Sequence, residues 1–350
     1  MLNFLTTTAL AAAAAMAASL ASAQVNLTAE TGVPGTVSYL APSTLVELAS
    51  AAGVANIQLK DGQTLTNSIL NVAEGKTNIS SAPFIIPFLM SRGVGPYGNL
   101  GAEKGAELAA NIRVLYPYTF GVFFLYAYDA KNVGGWDDLE GRKILNGPPR
   151  GGATGNSRTL IQLITGLKSD EGYESVTVNW GQAVTTVTDG SVDAALIPEL
   201  FPSGRPTQMS AAGAMTAFSI PKEAFESEAM QKYFAAPGNA AWEMPVSAAQ
   251  NIGRNWTIVS EDDTFRGMAT AGGEITNADL DEDLAYQLVK LHIDNLDLLK
   301  AKAPYASYAR FGEIDETLSG MCGVNPLKYH AGAVRAWEEA GFTIPDCAKP

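Results

Sequence analysis

Apolar and polar positions along the chain fall into two alternating rhythms. Short apolar, β-branched runs are each followed by a stretch with helical spacing. VNLTAETG (25–32) precedes a helix ending near Ala52, ANIQLKDG (55–62) a helix through Glu74, and TNISSAP (77–83) a helix over 84–91. Repetition of strand, loop and helix predicts a parallel or mixed sheet of the α/β class. A second series opens with GRKILNGPP (141–149) and a helix from about Asn156 to Leu167. It continues through SVTVNW (175–180), a helix over 182–188, VDAALIP (192–198) and MTAFSIP (215–221). Between the two series, YPYTFGVFFLYAYDA is a natural crossing strand. Towards the C-terminal end, Leu280, Leu284, Leu288 and Leu291 are spaced four, four and three, as on an amphipathic helix, with Thr276 or Asn277 as the expected cap.

Two such series in 350 residues exceed the usual content of one core and predict two lobes. Residues 24–125 with 240–350 are expected to form the first lobe and 126–239 the second. Ligands of open α/β sheets bind beyond the C-terminal strand ends, so paired lobes would share a cleft. The loops at those ends are TGVPGTVSY, DGQTLTN, SSAPF, NGPPRGGATGN, NWGQ and IPELFPSGR, the last containing Glu199. Any one of them reads as a plain connection. Together, at matching positions, they outline a binding cleft.

The first 23 residues carry no charged side chain and end in Ala21-Ser22-Ala23, a small-x-small site before Gln24. This is the pattern of a cleavable secretory signal peptide, with a single membrane anchor as the alternative. The expected outcome is export. Lys and Arg number 23 against 36 Asp and Glu, a net charge of −13. No basic stripe is available for phosphate neutralisation, which argues against nucleic acid. A small anion is a different matter, because charge is screened within about 8 Å at physiological salt and a local arginine decides. Cys322 and Cys347 are the only cysteines; in an oxidising compartment one disulfide is expected, two buried thiols being the alternative. His292 and His330, the only histidines, lack metal-ligand spacing.

The candidate chemistry centres on GPPRGGATGN (147–156). No Gly-Lys-(Ser/Thr) follows, so it is not a phosphate loop of the Walker type, and its prolines break the dinucleotide fingerprint. No cofactor is expected. What remains is a stiff, glycine-bearing loop running into a helix N-terminus, which offers N–H groups and a positive dipole end to an anion. Gly151, Ala153 and Asn156 would line it, with the guanidinium of Arg150 as the main cation and Arg205 as its rival. Each arginine has an ordinary reading as a salt bridge. Thr36, Thr64, Asn67 and Ser81 would supply neutral hydrogen bonds from the other lobe, and these types also serve as caps and turn residues. Tyr39, Phe84, Trp180 and Phe201 would wall the cleft or belong to the core.

The ordered set of motifs resembles a known family, the substrate-binding proteins of tripartite ATP-independent periplasmic (TRAP) transporters, in their TAXI branch. GWDDLEGRKILNGPPRGGAT is similar to that family's Asp-Leu-x-Gly-x-(Lys/Arg) segment and following Gly-Pro-rich loop, through Asp138, Leu139, Gly141, Lys143, Gly147, Pro148 and Gly151. DGSVDAALIP resembles its Gly-x-(Ile/Val)-Asp-Ala segment. HAGAVRAWEEAG resembles its C-terminal signature, through His330, Gly332, Ala333, Arg335, Glu339 and Gly341. LTNSILNVAEGKTNISSAP is similar to its second helix and third strand. The chain departs from the family where its first loop reads GVPGTVSYLAP, where Gly151-Gly152-Ala153-Thr154 follows Arg150, and where Ala331 replaces a proline. The resemblance implies a two-lobed periplasmic binding protein of the type II kind and integral-membrane TRAP subunits as partners. Its solute would be a small organic anion, a carboxylate of glutamate-like or dicarboxylate type. An exported hydrolase working through carboxylates is the alternative. It finds no Gly-x-Ser-x-Gly elbow in support. An exported scaffold without ligand is a third reading.

Overall fold

The computed structural model of the protein describes residues 24–149, 151–249, 253–314, 321–322 and 324–350. The expected signal segment and Arg150 lie outside the described residues. Strand β1 (Val25–Glu30), helix α1 (Val37–Ala51), β2 (Ala55–Lys60), α2 (Leu65–Ala73), β3 (Ile79–Pro83) and α3 (Ile85–Arg92) follow the first predicted series. Helix α4 (Gly101–Ala110) leads into β4 (Ile112–Tyr128), the crossing strand. The second series is β5 (Lys143–Gly147), α5 (Gly152–Thr165), β6 (Glu174–Thr177), α6 (Ala183–Thr188), β7 (Ala194–Glu199), α7 (Gly204–Ala212) and β8 (Met215–Phe218). Further on lie β9 (Asn239–Pro245), β10 (Trp256–Val259), β11 (Thr264–Asn277), α8 (Glu282–Asp294), β12 (Lys328–Tyr329) and α9 (Ala331–Glu339).

The fold is α/β, built on one curled mixed sheet with the order β2-β1-β3-β11-β4-β7-β5-β6. The strands β1, β2 and β3 run parallel in one half, and β5, β6 and β7 run parallel in the other. Two antiparallel strands, β4 and β11, join the halves. One end of β11 pairs with β3, while its Thr264–Thr270 stretch pairs with β9. β10 pairs with β8, so the β9–β10 segment sits on the side of the second series.

β4 is buried on both faces, which is why its sequence is a near-continuous apolar run rather than an alternation. Its partner β11 is equally buried, with the small run Ala269–Gly273 at its centre. A Cβ at Gly272 would stand 2.2 Å from Phe120 Cδ2, and one at Gly267 2.5 Å from Val122 Cγ1. Glycine on β11 is therefore what lets the rings of β4 lie against it. The register slips at Thr270/Ala271, where Phe120 is the extra residue, and again at Glu274/Ile275, where Leu115 is. Such bulges bend a sheet and raise its twist. The first of them falls where the sheet passes from one half to the other.

Two expectations are corrected. Helix α5 begins at Gly152, before the expected Asn156, with Gly151 at its N-cap and Gly152 close beside Ile85 of α3, where a Cβ would stand 3.1 Å from Ile85 Cγ2. Helix α8 is capped by Asp281, whose Oδ1 accepts from Leu284 N at 2.9 Å. Thr276 belongs to β11, and Asn277 Nδ2 donates to Val72 O at 2.8 Å.

Cys322 and Cys347 are joined, with Cα atoms 5.2 Å apart. Closing a loop of this length is worth about 3–4 kcal/mol in the chain-entropy account. Reduction is expected to lower the melting temperature of the folded protein, and alkylation without reductant to label neither cysteine. Equal melting with and without dithiothreitol, together with labelled thiols in the native protein, would overturn the assignment.

Candidate functional site

The loops after β1, β3, β5, β6 and β7 all leave the C-terminal ends of parallel strands, and the curl of the sheet turns the two sets towards each other. In the first half, Thr36 sits at the N-cap of α1, its Oγ1 donating to Val33 O at 2.7 Å. Tyr39 lies half-buried in the first turn of the same helix. Thr64 and Asn67 are exposed at the start of α2. Phe84 is fully buried, with its carbonyl accepting from Asn325 Nδ2 at 3.1 Å.

Ser81 has a richer setting. Its hydroxyl lies 2.7 Å from Glu274 Oε1 and 2.7 Å from Ser38 O, and 3.4 Å from Thr31 Oγ1, which donates to the same Ser38 carbonyl. Tyr118 donates to Glu274 Oε1 at 2.7 Å, while Glu274 Oε2 has no partner among the described residues. Burial pushes the Glu274 carboxyl up to about 7, against the opposing hydrogen bonds from Ser81 and Tyr118. Tyr118 stacks on Phe120 at 5.2 Å and meets Phe311 at 5.2 Å.

In the second half, Gly151 caps α5 without a side-chain bond, and Thr154 turns its hydroxyl to Pro148 O at 2.7 Å. Among the described residues, no capping side chain meets the first-turn N–H groups of this helix. Gly147, at φ 121°, makes the turn out of β5. Ala153 is half-buried beside it. Asn156 is engaged at both ends of its amide: Nδ2 donates to Asn239 Oδ1 at 3.3 Å, and Oδ1 accepts from Tyr233 OH at 2.7 Å.

Glu199, Phe201, Arg205 and Trp180 come together. Arg205 Nε donates to Glu199 Oε1 at 2.8 Å and a terminal nitrogen donates to Pro198 O at 2.8 Å, while the guanidinium lies 4.8 Å over the Trp180 ring. Their side chains are 12% and 2% exposed, so the pair is nearly dry. Burial raises Glu199 above the usual carboxylate range despite Arg205. Burial also works against the charge of Arg205, and Glu199 beside it more than offsets this. Phe201 packs on Phe124 at 4.4 Å and Trp256 at 5.6 Å. A cavity of about 10 Å³ touches Val122, Glu199, Phe201, Trp242 and Tyr308.

The two halves meet at these loops. Gly204 N donates to Gly35 O at 3.1 Å, and the start of α5 lies against the start of α3. Sequence reasoning passed over Glu274, Tyr118 and the Gly35–Gly204 contact. The only signal for Glu274 was an acid inside the small-residue run TAGGEITN.

The histidines have structural places. His292 is buried, stacked on Tyr116 at 3.7 Å, and burial drops it to about 3. His330 Nδ1 accepts from Gly332 N at 3.2 Å and caps α9. Among the described residues, no group of three or more His, Cys, Asp or Glu side chains is placed to hold a metal, and no helix is long and apolar enough to cross a membrane.

The chain belongs to the NMT1-like family, whose model matches residues 15–341. It is similar to the periplasmic aliphatic sulphonate binding protein SsuA from Escherichia coli, at 10% identity and a TM-score of 0.46, covering 85% of this chain and 88% of that one. It is also similar to DctP7, a Bordetella pertussis extracytoplasmic solute receptor binding pyroglutamic acid, at 13% identity and a TM-score of 0.43, covering 91% and 93%. A third similar structure is a binding protein component of an ABC phosphonate transporter from Pseudomonas aeruginosa, at 9% identity and a TM-score of 0.47, covering 84% and 83%. No curated protein sequence matches the chain.

Two measurements check the electrostatics. Glu274 holds its proton more tightly folded, at about 7, than at its ordinary 4.5. The stability it contributes is therefore complete below about 4.5 and lost as pH rises to about 7, on the order of 3 kcal/mol in all. Glu274→Gln should remove that fall, so that urea unfolding at pH 8 shows the variant more stable than the parent, and at pH 4.5 much less so. Parallel pH profiles would contradict it. Arg205→Ala leaves a buried carboxylate unpaired and is expected to cost about 3–5 kcal/mol. Adding Glu199→Gln should recover part of the loss, and a strictly additive double variant would show that the pair is not coupled.

Proposed function

We propose that this protein is a periplasmic solute-binding protein that captures a small organic anion between the two halves of its sheet. The observation that carries the reading is the meeting of strand-end loops from both halves, Gly35 on Gly204 and α5 on α3. Open α/β sheets bind ligands at such ends, and paired halves can close over a solute. The motif set shared with TAXI proteins supports the finer reading: delivery to integral-membrane TRAP subunits, with a glutamate-like or dicarboxylate solute. Export through the uncharged N-terminal segment fits the same role. In this reading the halves act as lobes, 24–125 with 240–350 and 126–239 as expected from the sequence, save that the pairing of β10 with β8 assigns the β9–β10 segment to the second. The binding role needs no catalytic group, and neither histidine is spare for one: His292 is kept neutral by burial and His330 serves as a helix cap.

The anion is assigned to the loop over 147–156. Arg205 is already neutralised by Glu199, which leaves Arg150 and the uncapped start of α5 as the positive features of the second half's loops. Pro148 and Pro149 pre-shape the loop and reduce the entropy lost on binding. Thr64 and Asn67, exposed at the start of α2, close over the solute from the other side with Tyr39 and Trp180 at its wall, whereas the hydroxyls of Ser81 and Thr36 are spent on protein acceptors and Phe201 is packed among Phe124 and Trp256.

Native mass spectrometry of freshly purified protein should find a co-purified small carboxylate. Calorimetry with that molecule should then show Arg150→Ala binding about ten- to a hundredfold more weakly, the usual worth of a charge-assisted hydrogen bond. Unchanged affinity, or a ligand with no anionic group, overturns the assignment.

A further inference from the structure

β1 and β7 stand four strand steps apart in the sheet, with β3, β11 and β4 between them, or about 19 Å at 4.8 Å a step. The loops that follow these two strands nonetheless touch. Gly204 N donates to Gly35 O at 3.1 Å, which closes a ring whose floor is β3, β11 and β4. We propose that this glycine–glycine contact is a latch: it holds the two halves closed, and it must part before a solute can reach the floor.

Both positions need glycine, for different reasons. Gly35 has φ 84°, a conformation that glycine adopts without strain. Gly204 has no such need, since it opens helix α7 in ordinary backbone geometry, where glycine is a poor helix former. What crowds a side chain there is the opposite loop. A Cβ at 204 would stand 3.2 Å from Gly35 Cα and 3.3 Å from Gly35 O. Neither side can easily yield. Thr36, next to Gly35, stands at the N-cap position of α1, its hydroxyl donates to Val33 O at 2.7 Å and its carbonyl accepts from Tyr305 OH at 3.4 Å. Arg205, next to Gly204, is pinned to Glu199 and to Pro198 O. Bulk placed at 204 would therefore push whole halves apart rather than bend one loop. Gly35 and Gly204 act as positioning residues for closure and need not touch the solute.

The inference rests on the solute-binding reading only for what enters the ring, and its test uses no solute, so either can fail without the other. Small-angle X-ray scattering of the ligand-free protein should match the closed structure. Gly204→Leu should raise the radius of gyration, while Gly204→Ala, which asks Gly35 to give only slightly, should leave it close to the parent's; neither should lower the melting temperature, because both residues favour a helix more than glycine does. Scattering curves that superimpose for the parent and the leucine variant would overturn the latch, as would a parent already as extended as that variant. If Gly204→Leu fails to fold, amide exchange in the unaltered protein decides. The Gly204 N–H should exchange roughly tenfold or more slowly than a free loop amide, the mark of a bond broken no more than about a tenth of the time. Exchange at the free-amide rate would sink the proposal.

Discussion

The packing of a glycine-bearing strand against an aromatic one sets the geometry of this molecule. β11 and β4 are the strands common to both halves, and both are buried along nearly their whole length. Their approach is possible because Gly267, Gly272 and Gly273 leave no Cβ to collide with Val122, Phe120 or the Tyr116 carbonyl. Close approach and slipped register go together here. The bulge at Phe120 lets one extra ring seat itself over Gly272 while the strand changes direction. From that bend follows the curl of the sheet, and from the curl follows the meeting of loops that begin about 19 Å apart. A side chain at 272 would disturb the floor and the roof of the ring together.

Charge is arranged on this frame with economy. For the anionic solute proposed above, a chain of net charge −13 offers no favourable global field, so any attraction has to be local. The described arginine nearest in role, Arg205, is spent inside the protein on Glu199, where the dry pair contributes geometry to the β7–α7 turn more than free charge. Glu274 shows the opposite solution in the other half. With hydrogen bonds to one oxygen only and no cation among its bonded partners, the carboxyl lowers the cost of burial by keeping its proton up to about 7. Each half thus buries a carboxyl group close to neutrality, one by pairing and one by protonation. Below about pH 7 neither sets up a strong negative field beside the strand-end loops.

Much of the architecture can be read in the chain because most strands carry β-branched or aromatic residues and are followed by turn chemistry. VNLTAE, ANIQLK and AALIPE announce themselves in this way, and so does the long apolar run of β4. β11 does not. FRGMATAGG offers little β propensity, since its residues were set by the space that the rings of β4 leave rather than by backbone preference. Missing β11 also hid Glu274, whose partners Ser81 and Tyr118 are 193 and 156 residues away along the chain. The cap of α8 went astray for a more local reason. Thr276, Asn277 and Asp281 are all good capping residues, and only the continuation of β11 through Asn277 leaves the cap to Asp281.

The cleft loops divide along the same line. Their position at strand ends follows from the strand–helix order, and that order is visible in sequence. Which side chains remain available there depends on pairings across the fold. Arg205 reads as a free cation until Glu199 is placed beside it, and Asn156 reads as a free amide until Asn239 and Tyr233 occupy both of its ends. The two glycines of the latch carry no chemistry that a motif search could register. Gly35 stands in a Pro-Gly turn, and Gly204 follows a serine at a helix start, both ordinary places for glycine. Their meaning lies in a distance between residues 169 positions apart, which the sheet has to curl to create. A residue that matters for having no side chain is legible only once the neighbour that crowds its place is known.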